Sequence, residues 1–509
     1  MRPGDPGARR SPATPWAQIK ETHTAVVVLL GDHAYKVKKP VDLGFLDFTT
    51  LEARRAVCEQ EVELNRRLAP LVYEGVADVL GPDGKICEHL VVMRRMPDDR
   101  RLAALVRAGK PVEGQLRQIA RMVASLHGQA RHGAEIDRQG GREALRERWT
   151  ASFQQVRVLP AVLDAESVAE IERLALRFLD GREPLFAARV RQGRVVEGHG
   201  DLLTEDIFCL EEGPQVLDCL EFDANLRYLD GLDDAAFLAM DLERLGSPRL
   251  AELFLHWYTE FSGDPAPPAL WHHYVAYRAF VRAKVACVRH AQGNAEAAGE
   301  ARELGELGLR HLRAGAATLV LVGGLPGTGK STLAAALADR LGYTVLASDR
   351  VRKELAGIAP EQPAAAPFEE GIYTREWTAR AYEELSSRAR GLLGFGESVI
   401  LDASWTDAAH RAAAGRLAEE TFSDLVALRC TALPQVTAER LARRRGGVSD
   451  ADQTIADVMR ETTAPWPESV EIDTSATRDQ ALSRALEVLL PPARTVPWRY
   501  RRPPRMEPG

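Results

Sequence analysis

The chain has 509 residues, of which 45% are hydrophobic and 27% charged, a composition typical of a soluble globular protein with about two or three domains. It contains no run of about 18 apolar residues, which excludes a membrane-spanning helix. Residues 1–19 lack the apolar segment of a secretion signal and are predicted to be a disordered tail. The formal net charge of −7 gives no overall attraction for nucleic acid. Six scattered cysteines without a C-x-x-C pair favour reduced thiols in the cytoplasm over a zinc site.

Residues 20–290 are predicted to form the first domain, which begins with strands and continues with helices. Residues 26–30 and 34–38 flank a Gly-Asp turn in the pattern of a β-hairpin, and a helix is predicted from about residue 50 to Leu68. The later periodicities, in chain order, are helical over 100–185, strand-like around 194–222 and helical to about 313.

A lysine in the predicted hairpin is the first candidate for phosphate binding. Ala34 and Lys36 lie on the same face of their strand, because side chains alternate along a strand. A small residue over an adenine and a lysine on the phosphates is the arrangement of the kinase V-A-I-K strand. Lys38 shares this face and is an alternative for the role. Glu61, on the following helix, is placed to hold the lysine.

Two further segments complete a kinase-type pattern. His199-Gly-Asp201 matches the first part of the catalytic loop H-x-D-x-x-x-x-N, in which Asp201 would accept the proton of an acceptor hydroxyl. Asp218 follows an apolar strand and would hold magnesium, as the aspartate of D-F-G does. Each segment alone is a weak indication, but the three occur in the expected order.

On these motifs, and on stretches such as residues 39–48, 64–70 and 278–284, residues 20–290 resemble the aminoglycoside phosphotransferase superfamily, small-molecule relatives of protein kinases. The resemblance is to a bacterial branch with a P-loop kinase domain fused behind it. It implies an α+β bilobal protein-kinase-like fold, ATP as phosphate donor and a hydroxylated small molecule as acceptor.

The sequence departs from this superfamily at Asp206, where the catalytic-loop pattern has asparagine. Aspartate can also ligate magnesium, so Asp206 is a predicted metal ligand together with Asp218. Without metal, Asp201, Asp206 and Asp218 would repel one another and raise a pKa. Residues 21–24 also replace the expected glycine-rich loop. The first domain is therefore interpreted either as an altered kinase or as a nucleotide-binding remnant.

Residues 291–316 are predicted to be a partly helical linker, and residues 317–490 a second domain. In the second domain strands and helices alternate, which predicts an α/β fold with a parallel sheet covered by helices on both faces. The Pro-rich, basic residues 491–509 are predicted to be a disordered tail.

The stretch Gly324-Leu-Pro-Gly-Thr-Gly-Lys-Ser331 is a complete G-x-x-x-x-G-K-[ST] loop between an apolar strand and a helical pattern. Backbone N–H groups and a helix N-terminus would bind phosphates there, Lys330 would reach the outer phosphates, and the Ser331 hydroxyl would ligate magnesium. The predicted ATP-binding residues of this loop are Gly324, Gly327, Thr328, Gly329, Lys330, Ser331 and Thr332.

Carboxylates follow two other strands of the second domain. Asp349 and Arg352 form an S-D-x-x-R element that resembles gluconate and polynucleotide kinases; the resemblance implies that Asp349 activates the acceptor hydroxyl and Arg352 binds the acceptor. Asp402 ends an apolar strand in the Walker-B pattern and would hold magnesium. A turn aspartate or a helix N-cap is the alternative interpretation of such residues.

A basic segment near the end of the second domain resembles the lid of small P-loop kinases. Arg440 and Arg444, with their neighbours, would close over the phosphates and supply positive charge to the transition state. The alternative is a solvated basic helix end. Residues 473–475 follow a strand and are placed near the adenine.

The sequence thus predicts a cytoplasmic ATP-dependent phosphotransferase with two ATP and Mg²⁺ sites, acting on a hydroxyl of a sugar-like or aminoglycoside-like metabolite. One alternative is a nucleoside or polynucleotide 5′-hydroxyl kinase, suggested by the spacing of Asp349 and Arg352. The acidic net charge and the lack of a basic, aromatic groove speak against nucleic acid as a partner. Another alternative, suggested by Asp206, is an ATP-binding regulatory protein with a degenerate first domain. The sequence does not specify the acceptor or the oligomeric state.

Overall fold

The computed structural model describes residues 16–21, 24–42, 47–359, 362, 370–443 and 453–490. The chain forms two compact units: residues up to 140 with 193–264, and residues 141–192 with those from 265 onward. No helix in these described ranges is long and apolar enough to cross a membrane.

The elements of the described residues follow in chain order. The first unit opens with β1 (Ala17–Glu21), β2 (Ala25–Leu30), β3 (His33–Lys38), α1 (Leu51–Arg66), β4 (Tyr73–Leu80), β5 (Ile86–Arg94), α2 (Leu102–Arg107), α3 (Glu113–Gly128) and α4 (Ala134–Gly140). The second unit contributes α5 (Arg142–Val158), α6 (Ala165–Gly181) and α7 (Glu183–Arg191). The chain returns to the first unit with β6 (Val195–Glu197), β7 (Ile207–Leu210), β8 (Gly213–Val216), β9 (Tyr228–Asp230), α8 (Gly231–Arg244) and α9 (Pro248–Ser262).

The second unit then continues to the end of the described chain. Its remaining elements are α10 (Pro268–Ala291), α11 (Ala297–Ala314), β10 (Thr318–Gly323), α12 (Lys330–Leu341), β11 (Thr344–Ala347), α13 (Ser348–Leu355), α14 (Arg375–Gly394), β12 (Val399–Asp402), α15 (Ala408–Glu420), β13 (Asp424–Thr431), α16 (Pro434–Arg443), α17 (Gln453–Thr462), β14 (Val470–Asp473) and α18 (Arg478–Leu489).

An antiparallel five-stranded sheet of order β1-β2-β3-β5-β4 forms one side of the first unit. The predicted hairpin is confirmed: β2 and β3 pair with Leu30 opposite His33, and Gly31 in the turn has a φ of +57°, a conformation that glycine adopts without strain. Helix α1 begins where the Thr50 hydroxyl accepts a hydrogen bond from the Ala53 N–H. It packs its buried face against this sheet.

Two short antiparallel pairs position the loops that follow the sheet. Strand β6 pairs with β9, and β7 pairs with β8. The loop after β6 carries Asp201, and the loop after β8 carries Asp218. The Leu217 N–H donates to the Asp206 carbonyl at 2.9 Å, which ties the two loops together. The predicted kinase-like α+β fold is confirmed by this arrangement of sheet, helix and paired loops.

A parallel five-stranded sheet of order β11-β12-β10-β13-β14 forms the centre of the second unit. Its strands alternate with helices along the chain, as predicted, and helices cover both faces. Strand β10 is fully buried and lies between β12 and β13. The neighbours β11, β12 and β10 therefore present their carboxyl ends side by side, where ligands bind in open parallel sheets. The predicted α/β P-loop fold is confirmed.

The segment predicted as a linker contains α11, which packs along α10. One face of α11 is buried, including Leu304, Leu307 and Leu312. Helices between residues 141 and 192 belong to the same compact unit as the parallel sheet. There Arg177 Nη1 lies 2.6 Å from Asp424 Oδ1, and Arg182 donates to the Thr421 carbonyl at 2.7 Å. The two compact units therefore have boundaries that differ from those of the predicted segments 20–290 and 317–490.

Candidate active sites

The loop between β10 and α12 is a backbone cradle. Gly324, Gly327 and Gly329 have φ angles of +137°, +80° and +81°, which side chains other than glycine rarely adopt. A Cβ at Gly324 would lie only 2.5 Å from the carbonyl oxygen of Cys430. Glycine is therefore required at this position, and the loop has the shape that brings N–H groups around an anion.

A cleft of about 360 Å³ opens at this cradle. Its lining includes Lys330, Ser331, Thr332, Arg440 and Thr474. This volume lies within the range of small-molecule sites. The cleft is thus large enough for a phosphate-bearing ligand and polar where the helix α12 begins.

Asp402 lies beside the start of α12. Strand pairing places it opposite Val322 on β10, and the Ser331 hydroxyl donates a hydrogen bond to its carboxylate. Burial raises the pKa of Asp402, although the charge of Lys330 and the Ser331 hydroxyl favour the ionised form. A buried carboxylate next to a lysine and a hydroxyl fits a magnesium ion bound together with phosphates.

Asp349 and Arg352 lie on the first turns of α13, directly after β11. Arg352 Nη1 donates to Asp349 Oδ1 at 2.8 Å, and its guanidinium lies 4.9 Å from the centre of the Tyr373 ring. Arg352 is 6% exposed, and its Nε has no partner among the described residues. Since Ala347 pairs with Asp402, both residues belong to the same edge of the sheet as the cradle.

Three aromatic side chains near this edge were not anticipated from the sequence: Tyr373, Tyr382 and His410. The Tyr382 and His410 rings stack at 4.0 Å with an angle of 8°, and the Tyr382 hydroxyl lies 3.3 Å from Ser404 Oγ. Burial raises the pKa of Tyr382, and the charges of Arg352 and Asp349 also act on it. These residues lie on separate helices, so no motif spacing in the sequence indicates that they come together.

Arg440 of the predicted lid lies on the cradle itself. Its Nη2 donates to the Thr474 carbonyl at 2.6 Å, and its Nη1 lies 3.4 Å from the Gly327 carbonyl. The Thr474 hydroxyl in turn donates to the Thr328 carbonyl at 2.7 Å. The other predicted lid arginine, Arg444, lies outside the described residues.

In the first unit, Lys36 connects the sheet to the loop after β8. Its Nζ lies 2.9 Å from Glu61 Oε1 and 2.9 Å from Asp218 Oδ1. Burial alone would lower the pKa of Lys36, but the charges of Asp218 and Glu61 hold that pKa well above its ordinary value. The structure thus brings together the three residues predicted on β3, on α1 and after β8.

Lys38, the alternative candidate, has a different environment. Its side chain is completely buried, its Nζ lies 2.6 Å from Glu61 Oε2, and it also pairs with Glu221. Lys38 and Lys36 therefore contact the same glutamate, Glu61, and Lys38 does so within the buried interior. Lys36 is the lysine that reaches Asp218.

The three aspartates of the first unit interact electrostatically. Burial and the charges of Asp218 and Asp201 raise the pKa of Asp206 well above its ordinary value. Lys36 lowers the pKa of Asp218, which has a φ of +65°. The repulsion predicted among these carboxylates is therefore present.

His199 and Gly200 are held by a buried carboxylate that sequence reasoning missed. Asp234, at the start of α8, accepts from the backbone N–H groups of His199 at 2.6 Å and Gly200 at 2.9 Å, and contacts His127 Nε2 at 3.0 Å. His199 Nε2 lies 3.1 Å from the Leu217 carbonyl. This network fixes the backbone that carries Asp201.

Within the described residues, no group of three His, Cys, Asp or Glu side chains is arranged to hold a metal ion by itself. Magnesium usually binds through one or two carboxylates together with substrate phosphates and water. Asp402 with the Ser331 hydroxyl, and Asp218 beside Asp206, are donor sets of that kind.

Known proteins resemble this chain in part and over nearly its whole length. Residues 319–465 match the model of the AAA domain family AAA_33. The chain is 45% identical over 477 residues to the uncharacterized protein Rv2004c of Mycobacterium tuberculosis strain H37Rv. The aligned region covers 93% of this chain and 95% of that protein.

Solved structures with similar parts include two bacterial proteins. A choline/ethanolamine kinase family protein from Mesorhizobium loti is 16% identical and covers 59% of this chain and 92% of its own, with a TM-score of 0.36. A sugar kinase from Janibacter sp. HTCC2649 is 20% identical and covers 36% of this chain and 99% of its own, with a TM-score of 0.27.

Proposed function

The chain belongs to the protein family that includes Rv2004c of Mycobacterium tuberculosis, and we propose that it is an ATP-dependent phosphotransferase acting on a hydroxyl of a small metabolite. The observation that carries this proposal is the position of Asp349 and Arg352 at the same sheet edge as Lys330, Ser331 and Asp402. Asp349 and Arg352 are placed to orient an acceptor hydroxyl beside the cradle, and transfer to such an acceptor, rather than to water, is what the experiment below measures. A cytoplasmic location is part of the proposal.

The cradle would bind the phosphates of ATP through its backbone N–H groups. Lys330 would neutralise the outer phosphates, and Arg440, which already contacts the Gly327 carbonyl, would add a second positive charge. The Ser331 hydroxyl and Asp402 would hold Mg²⁺, which neutralises charge that develops on the transferred group. Phosphoryl transfer depends mainly on such positioning and charge stabilisation.

Asp349 would orient the acceptor hydroxyl and take up its proton, and Arg352 would bind the acceptor. The hydrogen bond of 2.8 Å from Arg352 to Asp349 holds both side chains in place before the acceptor binds. Tyr373, whose ring faces the Arg352 guanidinium, and the Tyr382 hydroxyl, 3.3 Å from Ser404 Oγ, add polar aromatic groups near this edge of the sheet. A sugar-like or aminoglycoside-like acceptor fits this chemistry.

The first unit would provide a second ATP site. Lys36 would position the phosphates while Glu61 holds the lysine. Asp218 and Asp206 would hold Mg²⁺, and Asp201 would face the acceptor hydroxyl. A second candidate role for this unit, suggested by aspartate at position 206 where the catalytic-loop pattern has asparagine, is to bind nucleotide and regulate the other site without transferring phosphate.

The experiment that tests the proposal is transfer of the terminal phosphate of labelled ATP to a panel of hydroxylated metabolites, with the full-length protein. Asp349→Asn should reduce transfer to the best acceptor about 10²–10⁴-fold while ATP affinity stays the same, because the residue acts only on the acceptor. Asp339→Asn, an exposed aspartate on α12, is the control. Unchanged transfer by Asp349→Asn would contradict the proposal for this site.

Asp201→Asn distinguishes the two roles of the first unit. If that unit is catalytic, Asp201→Asn abolishes transfer to a second acceptor that Asp349→Asn leaves unaffected. If the unit is regulatory, Asp201→Asn changes no transfer reaction, whereas Lys36→Ala alters the rate at the other site.

A further inference from the structure

A second large cleft lies in the first unit, away from the residues proposed to bind ATP. It has a volume of about 850 Å³ and lies between α1 and α3, bounded also by Glu197 of β6 and Tyr228 of β9. No proposed nucleotide or metal ligand lines it. The cleft is within the size range of sites for metabolites and cofactors.

Arginines dominate the charge of this cleft. The charged residues that line it are four arginines, Arg67, Arg121, Arg131 and Arg227, and two glutamates, Glu63 and Glu197. Their net charge is +2, whereas the whole chain has a net charge of −7. The cleft is thus locally positive although the chain as a whole is acidic, which is the setting that concentrates a small anion.

One carboxylate of the cleft is already neutralised. Arg227 is buried and donates to Glu197 Oε1 at 2.8 Å, while Arg131 lies 3.8 Å from the other Glu197 oxygen. Arg121, in contrast, has no hydrogen-bond or ion-pair partner among the described residues. Its guanidinium, on the exposed face of α3, is therefore available to an anion in the cleft.

The lining also has an apolar and aromatic part, formed by Leu64, Leu68, Met122, Leu126 and Tyr228, and polar uncharged residues, Gln60, Ser125 and Gln129. A ligand that matches this cleft carries a ring or an apolar body as well as an anionic group. Guanidinium groups on α3 and just after the end of α1 suit phosphate in particular, because arginine binds its oxygens with pairs of parallel hydrogen bonds.

The cleft also contacts the segment that follows Asp218. Arg67 Nη2 lies 3.4 Å from Cys219 Sγ, and Arg227 Nη1 donates to the Leu220 carbonyl at 2.6 Å. Two of the four arginines thus contact the two residues that directly follow Asp218, a predicted metal ligand: Arg67 through the Cys219 sulfur and Arg227 through the Leu220 carbonyl.

We propose that this cleft is a binding site for a phosphorylated small molecule, with Arg121, Arg67 and Arg131 as the residues that receive the phosphate. The proposal does not depend on phosphotransferase activity. The segment from Cys219 to Leu220 provides a direct contact between the cleft and the Asp218 loop.

The test is calorimetric titration of the full-length protein with inorganic phosphate as the probe. Lys330→Ala is the parent variant, because it weakens phosphate binding at the cradle. We expect the parent to bind phosphate and Arg121→Gln, made in that parent, to bind it at least about tenfold more weakly, since a charged hydrogen bond is lost.

The matched control is Arg117→Gln in the same parent. Arg117 lies one turn earlier on α3, outside the cleft, where its guanidinium lies 5.5 Å from the centre of the Phe261 ring. Arg117→Gln should bind phosphate as the parent does, and Arg121→Lys should recover part of the affinity. No phosphate binding by the parent, or equal binding by Arg121→Gln and Arg117→Gln, would overturn the proposal.

Discussion

Lys38 lies 2.6 Å from the Glu61 oxygen that Lys36 does not contact. Both Lys38 and Glu61 are fully buried, and Lys38 also pairs with Glu221. Glu61 is therefore held by two lysines, of which only Lys36 is positioned to reach a ligand. We infer that Lys38 fixes Glu61, and through Glu221 the loop after β8, so that Lys36 can change partners when phosphates bind.

Replacing Lys38 by methionine should destabilise the first unit strongly. The variant leaves the carboxylates of Glu61 and Glu221 buried with fewer cations, and breaking a buried ion pair costs about 3–5 kcal/mol. Urea unfolding of the full chain measures the effect. Lys85→Met, at an exposed lysine 3.9 Å from Asp83, should change stability by less than about 1 kcal/mol. Equal effects of the two substitutions would contradict the role of Lys38.

Arg352→Lys should weaken acceptor binding and leave ATP binding unchanged. The buried guanidinium spans Asp349 and the face of Tyr373, and a lysine ammonium cannot keep both contacts. We expect the KM for the acceptor to rise about tenfold or more, as for the loss of one charged hydrogen bond. Arg350→Lys, at an exposed arginine on the same helix, is the control. A change in ATP affinity without a change in acceptor KM would show that Arg352 binds ATP and not the acceptor, which would contradict the proposed role.

Magnesium binding in the first unit should weaken as the pH falls. Burial and the charges of Asp218 and Asp201 raise the pKa of Asp206, so this carboxylate takes up a proton at a higher pH than an ordinary aspartate and must release it to bind metal. This loss of Mg²⁺ affinity is absent at pH values above the raised pKa of Asp206 and grows as the pH falls below that pKa. Asp206→Asn should bind Mg²⁺ more weakly at neutral pH but with less pH dependence.

Titration of the Lys330→Ala protein with Mg²⁺ and an ATP analogue at several pH values measures this dependence at the first unit alone. Asp99→Asn, at an exposed aspartate, should behave as the parent does. If Asp206→Asn kept the full pH dependence, another group would have to carry it.

Stability of the second unit should fall in acid because of two buried histidines. Burial lowers the pKa of His273 to about 3, and burial with the neighbouring His311 lowers the pKa of His272 well below its ordinary value. Both pKa values are lower in the folded than in the unfolded chain, so the unfolded chain binds more protons below about pH 6.5. Each histidine should therefore reduce the free energy of unfolding by up to about 1.4 kcal/mol per pH unit in the window below pH 6.5.

His273→Phe isolates one of these contributions. The ring of His273 stacks on Phe178 at 4.4 Å, so phenylalanine keeps the shape, although the Trp149 N–H loses its acceptor. Urea unfolding from about pH 7 to pH 5 should show a smaller slope for this variant. His256→Phe, at a partly exposed histidine of the other unit, should leave the slope unchanged. The same slope for both variants would exclude His273 as a contributor.

The sequence was sufficient for those parts of the site that local patterns determine. The cradle from Gly324 to Ser331, the strand ending at Asp402 and the position of Asp349 after a strand follow from short motifs and from the alternation of strands and helices. Because the strands are parallel, their carboxyl ends lie at one edge of the sheet, and this alone places the cradle, Asp402 and Asp349 close together.

The sequence could not supply what depends on long-range packing. Strand alternation places Lys36 and Lys38 on one face, and only the contact with Asp218 distinguishes them. Asp234 and Tyr382 lie on helices far from the motifs and follow no spacing rule. The membership of residues 141–192 in the second unit depends on pairs such as Arg177 with Asp424, which composition does not reveal.

The most direct test of the central claim is the number of ATP sites per chain. Equilibrium dialysis of the full-length protein with a non-hydrolysable ATP analogue and Mg²⁺ should give two bound molecules per chain. Lys330→Ala should remove one and Lys36→Ala the other, each with at least about a tenfold loss of affinity at its own site. Arg484→Ala, at an exposed arginine of α18, should retain both. A single bound nucleotide in the unaltered protein, or two in Lys330→Ala at unchanged affinity, would contradict the account.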